Sequence, residues 1–331
     1  MSTLFLGSVT ERSGKSMVSL GLALNHSRKV GYFKPFRETL RNDRERLVDQ
    51  DAYLMKRALR LDVEEEKLSP FTYDIHRPLD IERIVRAYQE VKGSCEDMLV
   101  EGTRDVLTGF LHNVSGLTIA EAIGAEVVLI SSKQTGSFDK LAMLVQLMRS
   151  YKVRFKGAIL NFGCGDEERK LLERRGIRVL GSIPEAPELR HFRVREVVEA
   201  LRAEVVVEEG LDNRVEEVMI GAMSPETAIR FMRRASHKAL ITCGDRSDLH
   251  MAALSTDTSC LILTGGLYPE KQVVAKAYER RVPILLTSLD TMSAAEAVDH
   301  LIARIDPEDQ VKIDRIRGLV KENVDIQAIW S

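Results

Sequence analysis

Short apolar runs alternate with helical spacing along the whole chain. In the first half, Thr3–Leu6, Val30–Phe33, Met98–Val100, Glu126–Ile130, Lys156–Leu160 and Ile177–Leu180 read as strands. Several are continuous apolar runs rather than alternating ones, the pattern of a parallel sheet covered on both faces. Helical periodicity fills the intervals at Lys15–Ser27, Gln50–Arg60, Ile81–Val91, Leu117–Ile123, Phe138–Ser150 and Glu167–Arg175. Strand–helix alternation of this kind predicts an α/β layered fold with right-handed crossovers.

The pattern restarts after a rigid connector, Ile183-Pro184-Glu185-Ala186-Pro187. Strands are expected at Val205–Val207, Val218–Ala222, Ala239–Thr242, Cys260–Leu263 and Pro283–Thr287. Helices are expected at Pro225–Arg234, Leu249–Leu254, Glu270–Arg280 and Ala294–Ile305. This second series predicts a smaller α/β domain. A charged amphipathic helix over Pro307–Gln327 is expected to pack on that same domain. The expected division is therefore residues 1–190 and 191–331, and 331 residues suit two domains.

Composition narrows the function classes. Hydrophobic residues make up 44% and charged residues 30%, a soluble globular profile. Forty-eight Lys plus Arg stand against 50 Asp plus Glu, and aromatics are 5%, so no basic, aromatic-laced face for nucleic acid is expected. No apolar stretch has the length of a membrane span, and the N-terminus lacks the features of a signal peptide. Cys95, Cys164, Cys243 and Cys260 form no CxxC pair and lie away from any His at zinc-ligand spacing, which fits a reduced, cytoplasmic setting. Cys164, between Gly163 and Gly165, has no neighbouring His to activate it and reads as structural. The mixed charge run Arg41–Arg46 is expected on a solvated loop.

The strongest chemical signal is Gly7-Ser8-Val9-Thr10-Glu11-Arg12-Ser13-Gly14-Lys15-Ser16, directly after the first strand and opening the first helix. Glycines let backbone N–H groups curl around phosphates, and the helix N-terminus adds partial positive charge. Lys15 can reach the β- and γ-phosphates, and the Ser16 hydroxyl can bind Mg²⁺. Six residues separate Gly7 from Gly14, two more than in a standard P-loop. Glu101 ends the apolar run Met98-Leu99-Val100, which places a carboxylate for Mg²⁺ at the carboxyl edge of the sheet. Lys34-Pro35, closing the second strand, offers another cation at that edge.

Gly7–Ser16, with Val30-Gly31-Tyr32-Phe33-Lys34-Pro35, Glu101-Gly102, Ala158-Ile159-Leu160-Asn161 and Gly181-Ser182-Ile183-Pro184-Glu185, resembles the dethiobiotin synthetase and cobyrinic acid a,c-diamide synthase group of P-loop proteins. Ala239–Asp248, followed by Leu263-Thr264-Gly265-Gly266, resembles a DRTGG domain, although Ser247-Asp248-Leu249 replaces the motif's Thr-Gly-Gly. The pair resembles the N-terminal region of long phosphotransacetylases, read here as a stand-alone version without the acyltransferase domain.

The resemblance implies ATP and Mg²⁺ as cofactors. It places Thr10, Glu11, Ser13, Gly14, Lys15 and Ser16 in the phosphate loop, and Ser16, Asp51 and Glu101 around the metal. Asn161 matches a purine-reading Asn. In a synthetase, Lys15 would stabilise charge on the transferred phosphoryl group while Lys34 positions the acceptor. Phe36-Arg37 and Thr103-Arg104-Asp105 depart from the acyl-substrate positions of that group. The expectation is therefore a Mg²⁺-dependent ATP-binding protein with a regulatory or assembly role. The alternative is an ATP-dependent carboxylate- or carbamate-activating ligase. Expected partners are the nucleotide, a second copy in a homodimer, and a protein of acetyl-phosphate or acyl-CoA metabolism; no nucleic-acid or membrane partner is expected.

Overall fold

The computed structural model describes residues 2–43, 46–77, 79–93, 95–302 and 304–331; Arg44 and Glu45 of the charge run lie outside them. Two compact units emerge, one of residues 1–186 with 305–331, the other of residues 187–304.

The first unit runs β1 (Thr3–Ser8), α1 (Lys15–Leu24), β2 (Val30–Phe33), β3 (Phe36–Arg37), β4 (Leu40–Asp43), β5 (Arg46–Asp49), α2 (Gln50–Leu59), α3 (Glu65–Leu68), β6 (Phe71–Thr72), α4 (Ile81–Lys92), β7 (Asp97–Glu101), α5 (Gly116–Ile123), β8 (Glu126–Ser132), α6 (Ser137–Leu147), β9 (Arg154–Asn161), α7 (Asp166–Arg174) and β10 (Val179–Ser182). Six strands form a parallel sheet in the order β10-β9-β8-β1-β7-β2. β1 and β7 are buried nearly end to end, because helices cover both faces. After β1 the chain moves to β2 on one side, while β8, β9 and β10 build out on the other. The loop following β1 thus opens at a topological switch point, where strand ends diverge and leave room for a ligand.

The second unit runs β11 (Phe192–Arg193), α8 (Val194–Leu201), β12 (Glu204–Val207), β13 (Arg214–Val215), β14 (Glu217–Ile220), α9 (Pro225–Met232), β15 (Lys238–Cys243), α10 (Ser247–Leu254), β16 (Thr258–Thr264), α11 (Lys271–Arg280), β17 (Ile284–Leu286) and α12 (Thr291–Ile302). Its five-stranded sheet, β12-β17-β16-β15-β14, is parallel except for β12. Alternation along β15 and β16 sends Leu240, Leu261 and Leu263 into a core with α9, α10 and α11. Ala239, Ile241, Cys260 and Ile262 enter the opposite core with α8 and α12. Strands β14 to β17 add in sequence without a reversal of direction, so this sheet has no switch point among them.

The C-terminal segment corrects one expectation. Residues 305–331 belong to the first unit, not the second. Helix α13 (Gln310–Asn323) buries Ile313, Ile316, Leu319 and Val320. It meets α1 at Gly21, where a Cβ would lie 2.3 Å from Val320 Cγ2. Asn25 Nδ2 donates to the Arg317 carbonyl at 2.8 Å. Short helix α14 (Ile326–Trp330) stacks Trp330 on His26, ring centroids 4.3 Å apart. Val324 bridges to Gly181, and Asp325 N–H donates to Leu180 O at 2.8 Å, which covers part of the free edge of β10. An apolar stripe at helical spacing marks a helix but not the surface that receives it. Here the notch at Gly21 supplies that surface.

Among the described residues, no helix is long and apolar enough to cross a membrane.

Candidate functional site

The loop from Val9 to Gly14 joins β1 to α1. Gly14 caps the helix at φ +81°, a left-handed conformation suited to glycine, and any Cβ there would lie 2.2 Å from Asn161 Nδ2. Lys15 is buried and its Nζ donates to the Thr103 carbonyl at 3.0 Å, so the loop that follows β7 holds it at the sheet edge. Ser16 Oγ donates to Glu101 Oε1 at 3.0 Å, and Tyr32 OH donates to Oε2 of the same carboxylate at 3.1 Å.

A second cluster adjoins the first. Lys34 is fully buried at the end of β2. Its Nζ donates to Asp51 Oδ2 at 2.6 Å and Asp49 Oδ2 at 3.1 Å, and stands 3.3 Å from Glu38 Oε2. Glu38 Oε2 is also 3.9 Å from Lys15 Nζ. The two aspartates divide the work at the start of α2. Asp49 is the N-cap, accepting from the N–H groups of Asp51 and Ala52 and from Glu38 N–H. Asp51, in the first turn, is left with Lys34 as its side-chain donor and lies beside the Ser16 hydroxyl.

The electrostatics follow from burial and charge count. Four carboxylates, Glu38, Asp49, Asp51 and Glu101, surround two ammonium groups, an acidic surplus. Burial, reinforced by the charge of Asp51, pushes the Glu101 carboxyl up to about 7. Burial also opposes ionisation of Asp51, but the Lys34 ammonium, the Ser16 hydroxyl and the Lys15 charge together hold that carboxyl below its ordinary value. For Lys34, burial favours the neutral amine; Asp49, Asp51 and Glu38 together reverse this, so it remains charged. The Tyr32 phenol is driven well up by burial and by the acid beside it, and acts as a donor.

The residues fit a polyphosphate with its cation. Thr10 Oγ1, Ser13 Oγ and Ser132 Oγ, at the carboxyl edge of β1 and β8, are buried without hydrogen-bond partners. Orphaned hydroxyls of this kind cost stability unless a ligand oxygen meets them. The acidic surplus beside Ser16 suits a divalent ion with oxygen ligands.

Residues 2–193 match the family model of an AAA domain, and residues 196–301 match that of a DRTGG domain. The chain belongs to this AAA domain family. Among curated relatives, it is 25% identical to a phosphate acetyltransferase of Synechocystis, over 98% of this chain and 50% of that protein. It is 24% identical to an ATP-dependent dethiobiotin synthetase of Cytophaga hutchinsonii, over 54% of this chain and 87% of that protein. The chain spans about half the length of the phosphate acetyltransferases that match it over its whole length. Of solved structures, a ParA family ATPase from Chlorobium tepidum aligns with a TM-score of 0.39 at 15% identity, covering 57% of this chain and 86% of that one. The CBS and DRTGG domains of a Clostridium perfringens pyrophosphatase align with a TM-score of 0.28 at 23% identity, covering 38% and 58%.

Within the AAA domain, the fold brings Ser16, Asp51 and Glu101 to one corner, with Lys15 and Lys34 beside them. Thr10, Ser13 and Gly14 line the loop. The Glu11 side chain instead turns toward exposed Arg104, 3.9 Å away. Asn161, matched to a purine-reading Asn, makes its contacts here to the chain itself. It is fully buried, its Nδ2 donates to Ser13 O at 2.9 Å, and its Oδ1 accepts from Phe162 N–H at 2.9 Å. Its amide braces the phosphate loop from beneath. Arg37 turns away as well, its Nε donating to Ser69 O at 2.7 Å. Glu38 and Tyr32 are the site residues that sequence reasoning missed. Tyr32 reads as one more core position of a strand. Glu38 precedes a segment that reads as loop, so nothing in the pattern gives its side chain an address.

Proposed function

We propose that the AAA domain binds a nucleoside polyphosphate, ATP with Mg²⁺, and that its nucleotide state serves a regulatory or assembly role. The observation that carries the reading is the set of unpartnered buried hydroxyls of Thr10 and Ser13 flanking Lys15, next to an acidic corner at Ser16. Lys15 would leave the Thr103 carbonyl to meet phosphate oxygens, a stronger, charge-assisted pairing. Ser16, Asp51 and Glu101 would hold Mg²⁺, which when bound offsets the surplus negative charge of both carboxylates and phosphates. Asn161 keeps the loop in the shape that presents its N–H groups.

The likeness to phosphate acetyltransferases supports a partner in acetyl-phosphate or acyl-CoA metabolism, and the protein is proposed to act as a homodimer. The likeness to a dethiobiotin synthetase supports a second reading, activation of a carboxylate or carbamate by ATP. Phosphate release that depends on an added carboxylate substrate would favour it. Calorimetry with a non-hydrolysable ATP analogue and Mg²⁺ tests the first reading. Binding is expected to weaken at least about tenfold in Lys15→Ala. Binding of neither the analogue nor ADP to the intact protein, or equal binding by the variant, would refute it.

A further inference from the structure

Lys34 already has two carboxylates, Asp49 and Asp51, within hydrogen-bond reach. A third acid is superfluous for its charge balance, yet Glu38 is delivered there. Its Oε2 faces the ammonium groups of both Lys34, at 3.3 Å, and Lys15, at 3.9 Å. Its Oε1 is buried without a partner. The backbone around it is pinned. Glu38 N–H donates to Asp49 Oδ2 at 2.9 Å, Arg37 Nε to Ser69 O, and Gln50 N–H to Thr39 O at 2.8 Å. The carboxylate therefore comes from an anchored segment.

In a phosphate loop, the lysine that opens the helix meets the β- and γ-phosphates. An anion shared between that lysine and a second one farther along the sheet edge stands where the outermost phosphoryl group would lie. We propose that Glu38 is a tethered anion in the terminal-phosphoryl subsite, so that the pocket takes a nucleoside diphosphate in preference to a triphosphate. The proposal deepens the nucleotide reading above and rests on it. A γ-phosphate and the Glu38 carboxylate carry the same charge and claim the same two lysines. A triphosphate must expel Glu38, whereas a diphosphate ends short of it. The site then discriminates between the two nucleotides by a charge built into the chain, as a sensor of their ratio requires.

The test measures the affinities of ADP and a non-hydrolysable ATP analogue, each with Mg²⁺, for the intact protein, for Glu38→Gln and for Glu38→Asp. Thermal melting establishes that each variant is folded. The intact protein is expected to favour ADP. Glu38→Gln, nearly isosteric, is expected to gain about tenfold or more for the ATP analogue while ADP affinity changes less than about threefold, since removing one like charge at contact range is worth a decade or more in a screened site. Glu38→Asp, which retains the charge but withdraws it, is expected to fall between. An unchanged ADP-to-ATP ratio in both variants, or weaker ATP-analogue binding in Glu38→Gln, overturns the assignment and leaves the nucleotide reading standing. Failure of all three proteins to bind either nucleotide refutes the nucleotide reading itself.

Discussion

Glu101 offers a substitution that should stabilise the protein while removing one of the proposed Mg²⁺ ligands. Its carboxyl is fully buried, and burial together with the charge of Asp51 raises it from an ordinary 4.5 to about 7. The folded state therefore holds this proton more tightly than the unfolded chain does. The resulting stability is complete below about pH 4.5 and is lost as pH rises through 7. At pH 8, ionised Glu101 costs the folded state about 3 kcal/mol relative to the protonated form; at pH 5 the cost is under about 1 kcal/mol. Glu101→Gln imitates the protonated side chain. Its carbonyl can accept from Tyr32 OH and its amide can donate to Ser16 Oγ, which keeps both contacts that the carboxylate makes. Melting across pH 5–8.5 should show the variant nearly level with the parent in acid and about 6–12 °C more stable at pH 8, taking about 2–4 °C per kcal/mol for a unit of this size. Under the proposed reading the same change also removes a ligand for Mg²⁺, so the stabilisation expected from Mg²⁺ with nucleotide in the parent should vanish. A variant less stable than the parent at pH 8, or a gap that does not vary with pH, would refute the reasoning. It would mean that Glu101 is ionised and structurally paired in the absence of metal.

Two further outcomes follow from the packing. Gly21→Ala should destabilise by about 1–3 kcal/mol, because its Cβ collides with Val320, and adding Val320→Ala should recover part of the loss, a coupling that denaturant melts of the single and double variants would read. Asn161→Ala should weaken inorganic tripolyphosphate and an ATP analogue equally, by about tenfold, since a brace on the Ser13 carbonyl serves any phosphate chain; a loss confined to the purine nucleotide would instead assign Asn161 to the base.

The physical reason each element was or was not legible lies in where its stability comes from. The strands β1, β2, β7 and β8 carry continuous apolar runs because helices bury both faces, and that local signature survives without any knowledge of the fold. The same holds for Glu101 and the glycine-rich loop, whose chemistry is tied to the end of one strand and the start of one helix. The hairpin β4–β5 carries no such signature. Its stretch from Arg41 to Arg46 reads as a charge run on a solvated loop, and Arg41 is held by partners distant in sequence, the Tyr53 ring at 4.3 Å and the Asp306 carboxylate at 3.6 Å. Helix α13 was legible as a helix, but its docking on α1 depends on a glycine nearly three hundred residues earlier.

The acidic corner shows the same division at the level of single side chains. Asp49 and Asp51 are indistinguishable in composition, and only the cap geometry separates the one spent on backbone N–H groups from the one left facing Ser16. Lys34, readable as an exposed cation, is instead fully buried and charged because three acids converge on it from β5, α2 and the turn after β3. Removing one partner of such a cluster leaves a buried charge uncompensated, which is costlier than the pair was ever worth. The cluster is therefore stable only as a unit, and its surplus acid is the part free to be answered by a ligand. That surplus, rather than any one residue, is the feature on which the proposed binding of a cation-bearing polyphosphate rests.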